Sequence, residues 1–357
     1  MIRGAILGAG NVAVNGHVPG WLARSDVEIV AAADPRPAAR AAILERLPEA
    51  RWYGSAEELL AREDLDFADI CAPPGMHAGL IAACLERGLH VLCEKPLVLS
   101  REELEPMASL AASRKRVLAT VHNWRYAPIL AAAREFLDSG QLGEIVSCRW
   151  ETLRQMPAAA AAEGAANWRV DPAIAGGGVL MDHGWHALYI LSGWLLRPLA
   201  RVSGILSTRR HHDFPLEDTA ELRLETGGIA RAEIFLTWAA DERRNRAAIE
   251  GTLGAVRLDG NVLDLVPRGS TRPSRRREFP QGLSEGSHHP EWFAGVAREF
   301  LAEIANPAVG SRTLEEAFLC LDVIALARES SRRQGSLLPL ERGAGAGPIE
   351  WQRRATP

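Results

Sequence analysis

Three residues carry side chains suited to moving a proton. Lys95 stands in Glu94-Lys95-Pro96, and Asp182 and His186 stand in GGGVLMDHGWHA, residues 176–187. Asp182 and His186 are four apart, so a helix would set them on one face. Histidine exchanges protons near neutrality and can take the O–H proton of an alcohol. Asp182 could hydrogen-bond a substrate and orient the ring. An ordinary i,i+4 polar pair is the plainer account of the same spacing. Lys95 follows an apolar run, Leu89–Cys93, that reads as a strand. Ligands of open parallel sheets bind beyond the carboxyl ends of strands, although lysines are also common there as surface residues.

A second constellation lies at the start of the chain. Gly8, Gly10 and Ala13 spell G-x-G-x-x-A directly after the strand candidate Ile2–Leu7 and before a helical pattern. The first glycine suits a tight turn, the second lets a pyrophosphate approach the backbone, and the small third residue lets helix and strand pack closely. The helix N-terminus offers free N–H groups to the phosphates. Asp34 ends the next strand candidate, 24 residues after Gly10 (34 − 10). A carboxylate there binds ribose hydroxyls and repels a 2′-phosphate. The expected cofactor is therefore NAD, with NADP kept open because Arg36 can soften the repulsion. A simple turn before Pro35 would also use Asp34. If a nicotinamide sits beyond the strand ends, Lys95 lies beside a cationic ring, which would lower its pKa toward neutrality.

These residues must be positioned by two differently patterned halves. Up to residue 122, short apolar runs (Ile2–Leu7, Val27–Ala33, Phe67–Ala72, Leu89–Cys93, Val117–Val121) alternate with helical segments (Pro37–Arg46, Ser55–Ala61, His77–Arg87, Ser100–Arg114). Ser55 with Glu58, and Ser100 with Glu103, read as capping boxes. Strand runs this apolar imply burial on both faces, hence a parallel, doubly wound Rossmann domain over 1–122. From 123 to 357 the rhythm changes to longer alternating segments: Glu144–Leu153, Arg201–Thr208, Thr219–Glu225, Ile229–Thr237 and Arg246–Glu250, with a hairpin turn at Thr226-Gly227-Gly228. Helices are expected at Tyr126–Leu137, Val179–Trp194, Glu291–Ile304 and Leu314–Arg332. This half reads as an open, mainly antiparallel α+β domain with helices on one face. Ala158–Ala162 falls in an alanine-rich loop, and the run Ser274–Arg277 reads as a solvated loop.

Composition narrows the function. Apolar residues make up 47% and charged residues 24% of 357, with a net charge of −4. That is ordinary for a globular protein and gives no reason to expect nucleic acid or an anionic membrane as partner. No apolar run approaches the ~18 residues a membrane span needs, and no secretory signal is visible. Five scattered cysteines, never in C-x-x-C, argue against a disulfide framework or a zinc knuckle. His211-His212-Asp213 and His288-His289 lack a third ligand, so no metal is expected. A cytoplasmic location follows.

Taken in order, G-x-G-x-x-A, Asp34, Pro73-Pro74-x-x-His77, Glu94-Lys95-Pro96 and G-G-G-x-L-x-D-x-G-x-H resemble the glucose–fructose oxidoreductase / inositol dehydrogenase (Gfo/Idh/MocA) family. NWRYAPIL at Asn123–Leu130 and NRAAIEGTLGAVRL at Asn245–Leu258 extend the likeness, which runs from Ile2 to about Leu340. The resemblance implies a Rossmann domain followed by a domain for substrate binding and oligomerisation, with a homodimer or homotetramer as the assembly. It implies a catalytic set of Lys95, Asp182 and His186, and a cis bond between Lys95 and Pro96. It implies that Gly8, Gly10, Asn11, Val12, Asp34, Pro73, His77, Glu94 and Asn123 line the cofactor, and that Arg125, Trp168 and Arg169 face the substrate. The chain departs from the pattern at Tyr189, where the family often has aspartate, and His183 and Trp185 are bulky neighbours. The expected activity is hydride transfer between NAD(P) and a carbinol carbon of a small polar substrate, a sugar, cyclitol or related polyol. Two other readings share the fold: a cofactor-binding regulator without turnover, and an NAD-dependent glycoside hydrolase.

Overall fold

In a computed structural model the described residues are 1–159, 167–286, 288–307 and 310–341. Most of the alanine run, residues 160–162, lies outside them. The strands are β1 (Ile2–Leu7), β2 (Val27–Ala33), β3 (Arg51–Tyr53), β4 (Phe67–Ile70), β5 (His90–Cys93), β6 (Leu118–Thr120), β7 (Ile145–Leu153), β8 (Leu199–Ser207), β9 (Thr219–Thr226), β10 (Arg231–Thr237), β11 (Arg244–Gly251), β12 (Gly254–Asp259), β13 (Val262–Pro267), β14 (Arg275–Glu278) and β15 (Leu338–Pro339). The α-helices are α1 (Val18–Leu22), α2 (Ala39–Arg46), α3 (Ala56–Arg62), α4 (His77–Glu86), α5 (Arg101–Arg114), α6 (Pro128–Asp138), α7 (Pro172–Ala175), α8 (Trp185–Leu195), α9 (Pro290–Ala305) and α10 (Arg312–Arg332).

Two compact units form. The first gathers Met1–Tyr126, Ala159–Gly176 and Ser287–Phe318; the second gathers Ala127–Ala158, Gly177–Gly286 and Leu319–Pro357. The contiguous division at residue 122 is thus interleaved: two later stretches return to the first unit.

The first unit holds a six-stranded parallel sheet in the order β3-β2-β1-β4-β5-β6, the strand order of dinucleotide-binding Rossmann folds. Every residue of β4 and β5 is buried, as a sheet covered on both faces requires. The short β3 escapes the sequence pattern because three residues carry no readable period. Ser55 and Ser100 cap α3 and α5 by accepting from the amides of Glu58 (3.1 Å) and Glu103 (3.3 Å). The return bond of the second box goes one residue further back, from the Leu99 amide to Glu103 Oε2 at 2.9 Å. Helix α9 completes this core, with Phe293, Val296, Ala297 and Phe300 packed among Ile6, Val18, Trp21 and Phe67.

The second unit holds a nine-stranded sheet, β14-β13-β12-β11-β7-β10-β9-β8-β15. Every pair is antiparallel except β7 with β10. Burial alternates along β9 and β10, and α8, buried along its whole length, packs on β7 and β10. Strands β12 to β14 were not foreseen. The arginine run expected as a loop is the edge strand β14, with all four residues exposed. Its alternation is invisible because neither face meets a core, and Arg276 pairs with Asp264 of β13 at 2.8 Å.

Candidate active site

The turn after β1 has the geometry expected of a phosphate cradle. Gly8 has φ +96°, and a Cβ there would lie 2.6 Å from the Ala72 amide nitrogen. Only glycine fits. Gly10 is different: a Cβ there would meet nothing within 4 Å but the Arg36 guanidinium, at 3.9 Å. Its small size serves no packing within the chain, and that open backbone fits the approach of a dinucleotide pyrophosphate. Asn11 is exposed and Val12 half-buried at the same turn, while Ala13 is fully buried. A π-turn, Ala13–His17, leads into α1.

Asp34 lies at the end of β2 and accepts four hydrogen bonds. Its Oδ1 receives the Arg36 amide and Nε, each at 2.9 Å. Its Oδ2 receives the Ala9 amide at 2.9 Å and Arg36 Nη2 at 2.7 Å. The Asp34 side chain is 3% exposed and that of Arg36 56%. Burial works against the ionised carboxyl, but Arg36 and the amides outweigh it and hold its pKa below the usual value. The carboxylate expected to meet the ribose is therefore already partnered by a cation.

The turns after β4 and β5 meet through His77. Its Nδ1 lies 2.9 Å from the Pro96 carbonyl oxygen and its Nε2 2.8 Å from that of Ala72. Both nitrogens face backbone carbonyls, so the ring lies between the two turns; burial lowers its pKa, and the neutral ring donates to one carbonyl at a time. Glu94 Oε2 accepts the Lys95 amide at 3.0 Å, and the Lys95–Pro96 bond is cis. Pro73 introduces the short turn before α4, and Asn123 opens another, Asn123–Tyr126.

Of the residues expected to face substrate, Arg125 points its guanidinium at Glu316, which also accepts from His122 Nδ1 (2.8 Å) and Arg312 Nε (3.1 Å). Burial disfavours the Glu316 anion, but the two arginines hold its pKa far below the usual range. Trp168 and Arg169 share a short turn, the guanidinium 4.3 Å from the indole centroid, and both are half-buried.

In the second unit Asp182 and His186 lie on one helical rod that is not uniformly α. Its first turn, Leu180–Gly184, is a π-turn, and α8 begins at Trp185. Such turns recur at functional sites. The N-terminus is held by Glu217, whose Oε1 accepts the amides of Gly178 (3.0 Å) and Leu180 (3.3 Å) and whose carbonyl accepts that of Val179 (3.1 Å). A Cβ on Gly178 would strike that Glu217 backbone, which explains one glycine of the run. Asp182 lies 3.6 Å from His183 Nε2 and is 27% exposed. His186 Nδ1 pairs with Tyr189 Oη at 3.0 Å. Arg154, almost fully buried, donates to the carbonyls of Leu153 (2.7 Å) and Arg244 (3.1 Å) and to Asn245 Oδ1 (2.8 Å). Burial and then Arg243 lower its pKa to about 10, while Asp182 acts in the opposite sense.

Sequence reasoning missed Glu217, Arg154 and the buried pair His17 and Asp69, whose partners lie far away along the chain. One signal for Lys95 was readable and unused. Of 41 lysines and arginines only Lys95 and Lys115 are lysine. A chain that otherwise uses arginine keeps at position 95 the cation that can lose its proton.

Comparison with known proteins places the chain in a family. Residues 2–122 match the oxidoreductase family with an NAD-binding Rossmann fold, and residues 130–257 match the GFO/IDH/MocA C-terminal domain. The chain is 33% identical over 228 residues to D-xylose 1-dehydrogenase (NADP(+)) 2 of Haloferax volcanii, covering 64% of this chain and 67% of that one. It is 32% identical over 196 residues to the D-glucoside 3-dehydrogenase of Escherichia coli (53% and 54%), and 27% over 239 residues to the levoglucosan dehydrogenase of Pseudarthrobacter phenanthrenivorans (67% and 55%). The chain thus spans about half the length of the latter two relatives. Among solved structures, levoglucosan dehydrogenase with NADH and levoglucosan superposes with a TM-score of 0.82 at 20% identity, covering 96% of this chain and all of that one. An Agrobacterium radiobacter oxidoreductase with NAD+, L-tartaric acid and magnesium gives 0.81 at 21%, covering 95% and 98%; at these identities the likeness is one of fold. The chain belongs to the Gfo/Idh/MocA family of oxidoreductases, and its residues 2–122 match that family's NAD-binding domain.

Proposed function

We propose that the protein is a cytoplasmic NAD(P)-dependent dehydrogenase of a sugar, cyclitol or related polyol. The observation that carries the reading is the helix capped by Glu217, which presents Asp182 and a His186 whose Nδ1 is held by Tyr189, in a chain whose other unit carries the phosphate cradle and Lys95. When bound, the nicotinamide accepts or gives the hydride at a carbinol carbon. Lys95 and His186 exchange the hydroxyl proton with substrate, and Asp182 hydrogen-bonds a hydroxyl and fixes its orientation. Residues 1–122 are assigned to the cofactor and 123–357 to substrate and to assembly as a homodimer or homotetramer. Gly8, Gly10, Asn11, Val12, Asp34, Arg36, Pro73, His77, Glu94, Lys95 and Asn123 are assigned to the cofactor. Arg125, Trp168 and Arg169 are assigned to the substrate, with one edge of the Arg125 guanidinium held by Glu316.

The test follows NADH formation by purified protein with NAD or NADP and a panel of sugars, sugar acids and inositols. Substrate-dependent NADH growth that disappears in His186→Gln supports the reading. A flat panel, with glycoside cleavage at constant NAD, would replace it with hydrolysis.

A further inference from the structure

We propose that His17 is the positioning residue for Lys95: clamped between Asp69 and Glu94, it fixes the carboxylate that anchors the Lys95 amide. The catalytic part of this inference rests on the reading of Lys95 given above; the positional part does not.

The observation is a chain of buried contacts within the first unit. His17 closes the π-turn and is 2% exposed; Asp69 on β4 is fully buried. An isolated carboxylate there would be strongly destabilising. Asp69 Oδ2 accepts from His17 Nδ1 at 2.9 Å and from Trp21 Nε1 at 2.7 Å. His17 Nε2 reaches Glu94 Oε1 at 3.0 Å, and the other oxygen of Glu94 holds the Lys95 amide at 3.0 Å. Phe293 of α9 stacks on the ring, centroids 4.2 Å apart.

Ionised carboxylates only accept, so a ring between two of them satisfies both only as an imidazolium. Burial opposes that charge, but Asp69 and Cys71 outweigh it and hold the His17 pKa well above 6.5. Glu94 responds in kind: burial raises its pKa, and His17 together with Lys95 more than reverses this. The titratable groups around the ring are Asp69, Cys71, Glu94 and His288. The Lys95–Pro96 turn is therefore met at both ends by buried histidines, through Glu94 at the Lys95 amide and directly by His77 at the Pro96 carbonyl.

His17, Asp69 and Cys71 also form a possible metal-binding group among the described residues. The hydrogen-bonded reading is favoured. Two ligand atoms on a tetrahedral zinc lie about 3.3 Å apart, whereas Nδ1 and Oδ2 are 2.9 Å apart and Trp21 already donates to that oxygen.

The chain has two lysines, so reductive methylation with 13C gives two lysine signals by NMR, assigned with Lys115→Arg. Asparagine at 17 keeps a donor toward Asp69 and loses the one toward Glu94; glutamine reaches Glu94. In His17→Asn the Lys95 signal should shift while that of Lys115 stays, and kcat should fall about tenfold with substrate KM within about twofold. His17→Gln should recover most of both. If His17→Asn does not fold, Glu94→Gln removes the same charge pairing but keeps the acceptor for the Lys95 amide, and should shift the Lys95 signal likewise. An unmoved Lys95 signal in the folded variant overturns the proposal. So does stoichiometric zinc in the purified protein that Cys71→Ser abolishes, because the ring would then be a neutral ligand. Full turnover in Lys95→Met would instead remove the catalytic role of Lys95 and leave the NMR result standing.

Discussion

Two histidines, one in each unit, stand at π-turns and meet very different neighbours. His17 has a carboxylate at each ring nitrogen; His186 has the uncharged hydroxyl of Tyr189 at Nδ1. Both rings are buried. Burial alone therefore does not decide what a histidine can do. Two anions keep the first ring in one protonation state, which suits a strut. The neutral phenol beside the second places no charge at Nδ1, which suits the proton-transfer role proposed for that ring.

The sharpest way to break this contrast is at the two residues proposed to transfer the proton. Lys95→Met and His186→Gln should each lower kcat by roughly 10²–10⁴-fold, the range for general acid–base groups, with NAD affinity retained. Stopped-flow turnover and cofactor titration would check both. If His17→Gln proved as damaging as His186→Gln, the division into strut and proton carrier would fail. Tyr189→Phe should cost about tenfold in kcat, the worth of about one orienting hydrogen bond, with the largest change in the kcat–pH profile. An unchanged profile would mean that the phenol does not tune the ring.

How much of this could be read beforehand differs between the units. In the first unit the strands β1 and β2 were placed to the residue, because two-sided burial makes them mostly apolar runs, interrupted only at Arg3 and Glu28. In the second, Asp182 and His186 were legible as a local pair, but Glu217, which caps their helix from 39 residues away, was not. His17 was invisible for the same reason: its partners lie 52 and 77 residues along the chain. Exposed β14 gave no alternation to detect. Local periodicity and local chemistry are written in sequence; long-range polar pairing is fixed by the assembled fold.

A smaller effect is expected at the ribose carboxylate. Asp34→Ser should raise the NADP-to-NAD ratio of kcat/KM, because the repelling charge is removed. Arg36→Ala should lower that ratio several-fold, because the remaining carboxylate loses its cation. Identical ratios in both variants would mean that neither residue faces the ribose.

The smallest effect concerns stability against pH. The folded pKa of His17 lies above the unfolded value of about 6.5. Its contribution is therefore fully present below that pH and is lost as pH rises through the folded pKa. In urea titrations the stability gap between the wild type and His17→Asn should narrow as the solution is made alkaline. A gap that widened would show the ring to be neutral in the folded protein.

Helix α9 has a consequence for how the protein is made. Phe293, Val296, Ala297 and Phe300 belong to the core that also holds Ile6 and Val18. During synthesis the N-terminal sheet leaves the ribosome long before these side chains exist, and it must wait with an apolar face uncovered. Folding from the N-terminus forward cannot finish the cofactor unit. The nascent chain is therefore a natural client for chaperones until about its three-hundredth residue, and a fragment that stops at the end of β14 should aggregate rather than bind NAD.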